Sequence, residues 1–215
     1  METKGSPTGK TGINEMTQEE VILWFVLECK VNNAIEKLYF KDNFLLKNDV
    51  SERTIAHKFA TYLQEEFPHL NVDCEYNKNI DKFNNDPKRI YIQTEKYREL
   101  LKKYENNKTI QINDIDYITR TIYPDIIVHK RGKKDNLLII EIKKSTSNEK
   151  EFDHAKLECY TDQSLPTSLR YKYGLYIEFK TTFKAKGEKL EHQLVWYTKG
   201  SKITGSPITD LVKCL

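Results

Sequence analysis

The sequence predicts an α/β protein with a central mixed sheet of four or more strands, flanked by helices. Three observations predict it. Apolar residues recur at helical spacing before residue 68 and again over 149–161. Short runs rich in Ile, Val, Leu and Tyr, at 126–129, 137–143 and 171–179, read as strands. Hydrophobic residues make up 38% of the 215, enough for the core of one domain with an elaboration.

Taken in order, residues 1–16 are rich in Gly, Lys, Thr and Ser and read as a flexible tail. Residues 17–50 form an N-terminal helical region. Thr17 is its expected cap, Glu19 and Glu20 suit the first turn, and Val21, Trp24, Ile35 and Leu38 continue the spacing. This apolar helix is also a candidate dimer contact. Residues 51–198 hold the expected core. Ser51 caps a second helix with Ile55, Ala56, Phe59, Ala60 and Leu63 on one face, and Pro68 follows its end. Glu52 heads that buried stripe. It reads either as a first-turn acid favoured by the helix dipole or as a site acid.

Residues 72–76 are a short strand. Residues 77–121 are polar and rich in Asn, Lys and Tyr, and read as an insertion with a helix near 94–104. Two strands then flank a basic turn, 130–136. A helix over 149–161 carries Phe152, Ala155, Lys156, Cys159 and Tyr160 on one face, where Lys156 is either a long stem covering apolar surface or a site residue. Strands near 173–179 and 190–197 follow, with Gly174 marking a close backbone approach or a bulge, and 199–215 reads as a C-terminal tail.

The chemistry lies in the two strands around the basic turn. Side chains alternate along a strand, so Glu141 and Lys143 share one face and Leu138, Ile140 and Ile142 the other. Charges on a buried strand need partners or a metal. Asp125 opens the neighbouring strand and can approach them. Two carboxylates at a sheet edge repel unless a cation intervenes, and Mg²⁺ favours hard oxygen ligands and substrate phosphates. Asp125, Glu141 and the Ile142 carbonyl are the candidate ligands, with Glu52 acting through water or on a second ion. Lys143 is suited to hold the attacking water or stabilise phosphate charge, and Lys156 to orient a phosphate or the nucleophile. These roles describe a metal-assisted phosphodiester hydrolase, with Mn²⁺ as a substitute ion.

Pro124-Asp125 followed by Glu141-Ile142-Lys143 on the next hydrophobic strand resembles the PD-(D/E)xK nuclease superfamily. The resemblance covers roughly 51–180. It implies a restriction-endonuclease-like core of helix, three strands, helix and strand, here 51–67, 72–76, 126–129, 137–143, 149–161 and 173–179. It implies Asp125 and Glu141 as metal-binding acids, Lys143 as the active-site lysine, Glu52 as the acid of the first core helix, and Lys156 as the polar residue of the helix after the lysine strand. It also makes double-stranded DNA the leading substrate, and an endonuclease of restriction or defence type the leading activity. A cut across both strands would suit a homodimer.

Other signals narrow the field. The net charge of +3 is too small to establish a nucleic-acid partner by itself. The candidate phosphate contacts are Lys130, Arg131, Lys133, Lys134, Lys184, Lys186 and Lys189. The four cysteines have no metal or redox spacing, so a reducing cytoplasm is expected. No secretory signal or membrane-length apolar run is visible at the start. There is no phosphate-binding Gly-rich loop, zinc spacing or nucleophilic triad. The alternative is a noncatalytic nucleic-acid-binding or scaffold protein that keeps a nuclease-like fold.

Overall fold

The computed structural model describes residues 10–12, 15–78, 87–102, 109–133, 136–164, 169–183 and 188–205. The chain is α/β. A seven-stranded mixed sheet has helices on both faces, and a separate three-stranded sheet lies beside it.

Helix α1 spans Gln18–Lys41. Thr17 and Glu20 form a reciprocal capping box, in which the Thr17 side chain accepts from the Glu20 N–H and the Thr17 N–H donates to Glu20. Val21, Trp24, Leu27, Val31, Ile35 and Leu38 form its buried face. A short α2, Asn43–Lys47, leads to α3, Glu52–Glu66, which Ser51 caps by accepting from the Thr54 N–H. Lys37 of α1 holds Glu65 and Glu66 of α3 at 3.0 and 2.6 Å.

The strands are β1 Lys10–Gly12, β2 Asn71–Cys74, β6 Ile126–His129, β7 Asn136–Lys144, β8 Tyr173–Phe179, β9 His192–Thr198 and β10 Ser201–Thr204. Their order is β1-β10-β9-β8-β7-β6-β2. β2, β6 and β7 pair antiparallel, whereas β7 and β8 pair parallel across helix α5, Glu151–Thr161. On one face Leu138, Ile140, Ile142, Leu175 and Ile177 pack against α1 and α3. On the other Ile127, Ile139 and Tyr176 pack against Leu157 and Tyr160 of α5. A Cβ built on Gly174 of β8 would come within 3.1 Å of Leu157 and 3.2 Å of Thr161, so glycine sets how closely α5 approaches.

Several sequence expectations change. The expected tails contain strands: β1 pairs parallel with β10, and β10 antiparallel with β9. Three or four residues with little apolar content become strands by pairing at a sheet margin, a signal absent from their own composition. The helix expected near 94–104 is reduced to α4, Arg98–Leu101, with 103–108 outside the described residues. Within the insertion, β3 Arg89–Gln93, β4 Thr109–Ile112 and β5 Ile115–Thr121 form the second sheet, ordered β3-β5-β4. Its β4–β5 turn is Asn113-Asp114, both at positive φ, the conformation such residues tolerate in a two-residue hairpin. Ile90, Ile92, Ile118 and Ile122 join the apolar cluster on the α5 side. Among the described residues no helix is long and apolar enough to cross a membrane.

Candidate functional site

Strand alternation sets the site's orientation. Ile142 lies in the α1/α3 cluster and Ile139 in the α5 cluster, so Glu141 and Lys143 face α5. Asp125 stands just before β6, whose ladder with β7 begins at Ile126 opposite Ile140. Beyond that pair the Asp125 carboxylate takes over, accepting the Ile142 N–H at 2.7 Å. A strand residue's N–H and C=O project to the same edge, so the Ile142 carbonyl points toward the Asp125 side.

The structure brings Glu52, Asp125, Glu141, Lys143 and Lys156 to this end of β7. Lys156 Nζ lies 2.6 Å from Glu141 Oε2. Tyr160 donates to Glu141 Oε1 at 3.0 Å. Lys143 Nζ lies 3.2 Å from Glu52 Oε2. The other oxygen of Glu52 accepts the Lys144 N–H at 3.1 Å and the Ser147 hydroxyl. Asp153 completes the set, with Oδ1 2.6 Å from Lys156 and Oδ2 3.1 Å from Lys143. Lys144, one residue on, projects the other way to Asp49 at 3.0 Å, as alternation requires.

Burial and partners decide the charge states. Burial pushes the Asp125 carboxyl up to about 6, against the opposing hydrogen bond from Ile142. Glu141, only 2% exposed, is also pushed up by burial, with the Lys156 ammonium pulling it back. Burial acts the same way on Glu52, but hydrogen bonds from Ser147 and the Lys144 N–H, with Lys143 beside it, bring it below the ordinary carboxylate range. Burial disfavours the charged lysines, yet Asp153 with Glu52 raises Lys143, and Glu141 with Asp153 raises Lys156. The upward directions of Glu141 and Lys156 pull against each other. Contact at 2.6 Å favours the ionised pair.

Sequence reasoning assigned no site role to Asp153, Tyr160 or Ser147. Asp153, Lys156 and Tyr160 are spaced i, i+3 and i+7, which puts them on one helical face, and that was the available signal. Of the candidate phosphate contacts, Lys130, Lys133 and Lys189 are exposed. Arg131 is exposed as well, with its guanidinium paired to Asp73, Nε donating at 2.8 Å. Lys134, Lys184 and Lys186 lie outside the described residues. The basic turn is at the closed end of the β6–β7 hairpin. It is about 20 Å along the strand from Lys143, by the rise per residue. His129 faces the α5 side and bonds Asp73 at 2.8 Å, away from the carboxylates of the site.

No family model matches the chain, and no curated protein matches it. The solved structure described as "Crystal structure of SSO0001" is similar over 90% of this chain and 83% of its own, at 11% identity and a TM-score of 0.31. A likeness at that level carries neither fold nor function across.

Proposed function

We propose that the chain is a metal-dependent nuclease of the PD-(D/E)xK type that hydrolyses DNA phosphodiester bonds, with endonuclease activity of restriction or defence type. The order α3-β2-β6-β7-α5-β8, with β2-β6-β7-β8 adjacent in the sheet, supports a restriction-endonuclease-like core. The observation that carries the reading is the convergence of Asp125, Glu141 and Lys143 on one edge, with Asp125 bonded to the Ile142 N–H.

Among the described residues, no three His, Cys, Asp or Glu side chains form a ready-made metal cage. Mg²⁺ needs less than that from a protein: one or two carboxylates, with water and substrate phosphate completing its shell. Asp125, Glu141 and the Ile142 carbonyl fit that need. The four carboxylates Glu52, Asp125, Glu141 and Asp153 face the two ammonium groups of Lys143 and Lys156, a deficit that suits a divalent cation. Bound there, Mg²⁺ would act as a Lewis acid toward the phosphate.

The chain's own groups do the rest. Lys156 and Tyr160 hold the Glu141 carboxylate in place. Lys143 offers an N–H to the phosphate or to the attacking water. Glu52 keeps Lys143 at the strand end. The exposed Lys130 and Lys133, about 20 Å along the strand from Lys143, suit phosphates several nucleotides from the cut.

The test is incubation of purified protein with circular, linear and single-stranded DNA and with RNA, in Mg²⁺, Mn²⁺ or chelator. We expect metal-dependent cutting of circular DNA. Lys143→Ala and Asp125→Ala should each lose about 100-fold or more in rate while remaining folded. Cleavage that survives both substitutions overturns the site. No cleavage of any substrate favours the noncatalytic binding protein.

A further inference from the structure

The charged groups of the site alternate in sign along one series: Glu52, Lys143, Asp153, Lys156, Glu141. Asp153 is its middle member, 3.1 Å from Lys143 and 2.6 Å from Lys156. It comes from the first turn of α5 and is 4% exposed. An acid in a first helical turn is favoured by the helix dipole. That accounts for an acid at the surface, but not for one buried between two cations.

We propose that Asp153 is a positioning residue that holds Lys143 and Lys156 to separate tasks, an inference that rests on the nuclease reading of this site. Each ammonium has three N–H donors. Glu52 accepts a hydrogen bond from Lys143, and Asp153 Oδ2, buried and without a hydrogen bond, holds the same ammonium by charge at 3.1 Å, so Lys143 is held between α3 and α5. Glu141 and Asp153 engage Lys156, which keeps that cation on the strand carboxylate. Removing either terminal acid leaves its lysine held by Asp153 alone. Removing Asp153 loosens both and leaves two half-buried ammonium groups without the anion between them. Their repulsion is strong where water is excluded. Lys156 retains Glu141 at 2.6 Å, so Lys143, held by Glu52 at 3.2 Å, is the one that moves.

The experiment compares the full chain with Asp153→Asn and Asp153→Glu in two assays. One is cleavage of circular duplex DNA in Mg²⁺, resolved into kcat and KM. The other is reductive methylation of Lys143 and Lys156 in metal-free, DNA-free protein, followed by mass spectrometry. Asp153→Asn should lower kcat about 10- to 100-fold with KM little changed, and methylate Lys143 faster than the parent. Asp153→Glu, which keeps the charge, should recover part of both. The proposal is overturned if folded Asp153→Asn methylates both lysines at parental rates. It is equally overturned if Asp153→Glu loses kcat with labelling unchanged, and this second arm serves where the Asn variant does not fold. A parent protein that cuts nothing, with Asp153→Asn still speeding Lys143 methylation, sinks the nuclease reading and leaves the placement of the lysines by Asp153 standing.

Discussion

On the α1/α3 face of β7, Leu138, Ile140 and Ile142 are each fully buried among apolar neighbours. On the α5 face of the same strand, Ile139 is equally buried, but Glu141 follows at 2% exposure and Lys143 after it. One strand thus buries apolar residues and Glu141 to nearly the same depth, with Lys143 half-buried beyond them. Removing charges from water costs several kcal/mol per ion, and their mutual attraction often does no better than hydrophobic packing would. Stability explains the first face and leaves the second without a reason, whereas the proposed chemistry supplies one. Where a chain keeps ions at a depth that apolar side chains would fill more cheaply, the exception marks the place to look for function.

Four predictions break or sharpen this contrast. Lys156→Met should have the largest effect, because it strands Glu141 in the interior; we expect a loss of about 3–5 kcal/mol in urea unfolding. Adding Glu141→Leu should recover part of that loss while abolishing cleavage, since Glu141 is no longer stranded whereas Asp153 keeps only Lys143. A single variant as stable as the parent would dissolve the contrast. Next, Ile140→Ala on the opposite face should cost about 3 kcal/mol through its cavity and leave the cleavage rate of the folded protein unchanged.

The third prediction concerns pH in the presence of chelator. Burial holds the Asp125 carboxyl at about 6 rather than its ordinary 3.8, so the folded state keeps this proton more tightly than the unfolded chain. The favourable contribution is fully present below pH 3.8 and is lost as the pH rises through about 6. Its size is on the order of 2 kcal/mol, discounted for the carboxyl's partial contact with solvent. Unfolding across that window should show less of this decline in Asp125→Asn; an identical profile would remove Asp125 from the desolvated set. The smallest effect is expected from Gly174→Ala, about 1 kcal/mol in thermal unfolding, because Leu157 and Thr161 must give way to a new Cβ.

Much of this was legible because strand alternation is strict. Glu141 and Lys143 on one face and Ile142 on the other follow from spacing alone, and Ser51 and Thr17 marked both helix starts. Lys156 stood out as a cation on an apolar helical face. Asp153 did not, since an acid in a first helical turn is ordinary in sequence and only its contacts with Lys143 and Lys156 reveal it. The second sheet was missed for another reason. Ile90 and Ile92 alternate as a strand should, but the polar composition around them hid the period. β1 carried no signal in itself, because its pairing partner lies at the far end of the sequence.

That partnership has a kinetic consequence. Aligning Lys10 with Lys202 closes nearly the whole described chain into a single loop. The entropy of closing so long a loop has to be met before three residue pairs give anything back, so this margin should zip up last and open first. Amide exchange should therefore be fastest among the sheet strands at β1 and β10, and slowest at β7, where two neighbours and both layers hold the backbone. Glu141 and Lys143 sit on the slow strand, so the β1–β10 margin can part without disturbing them.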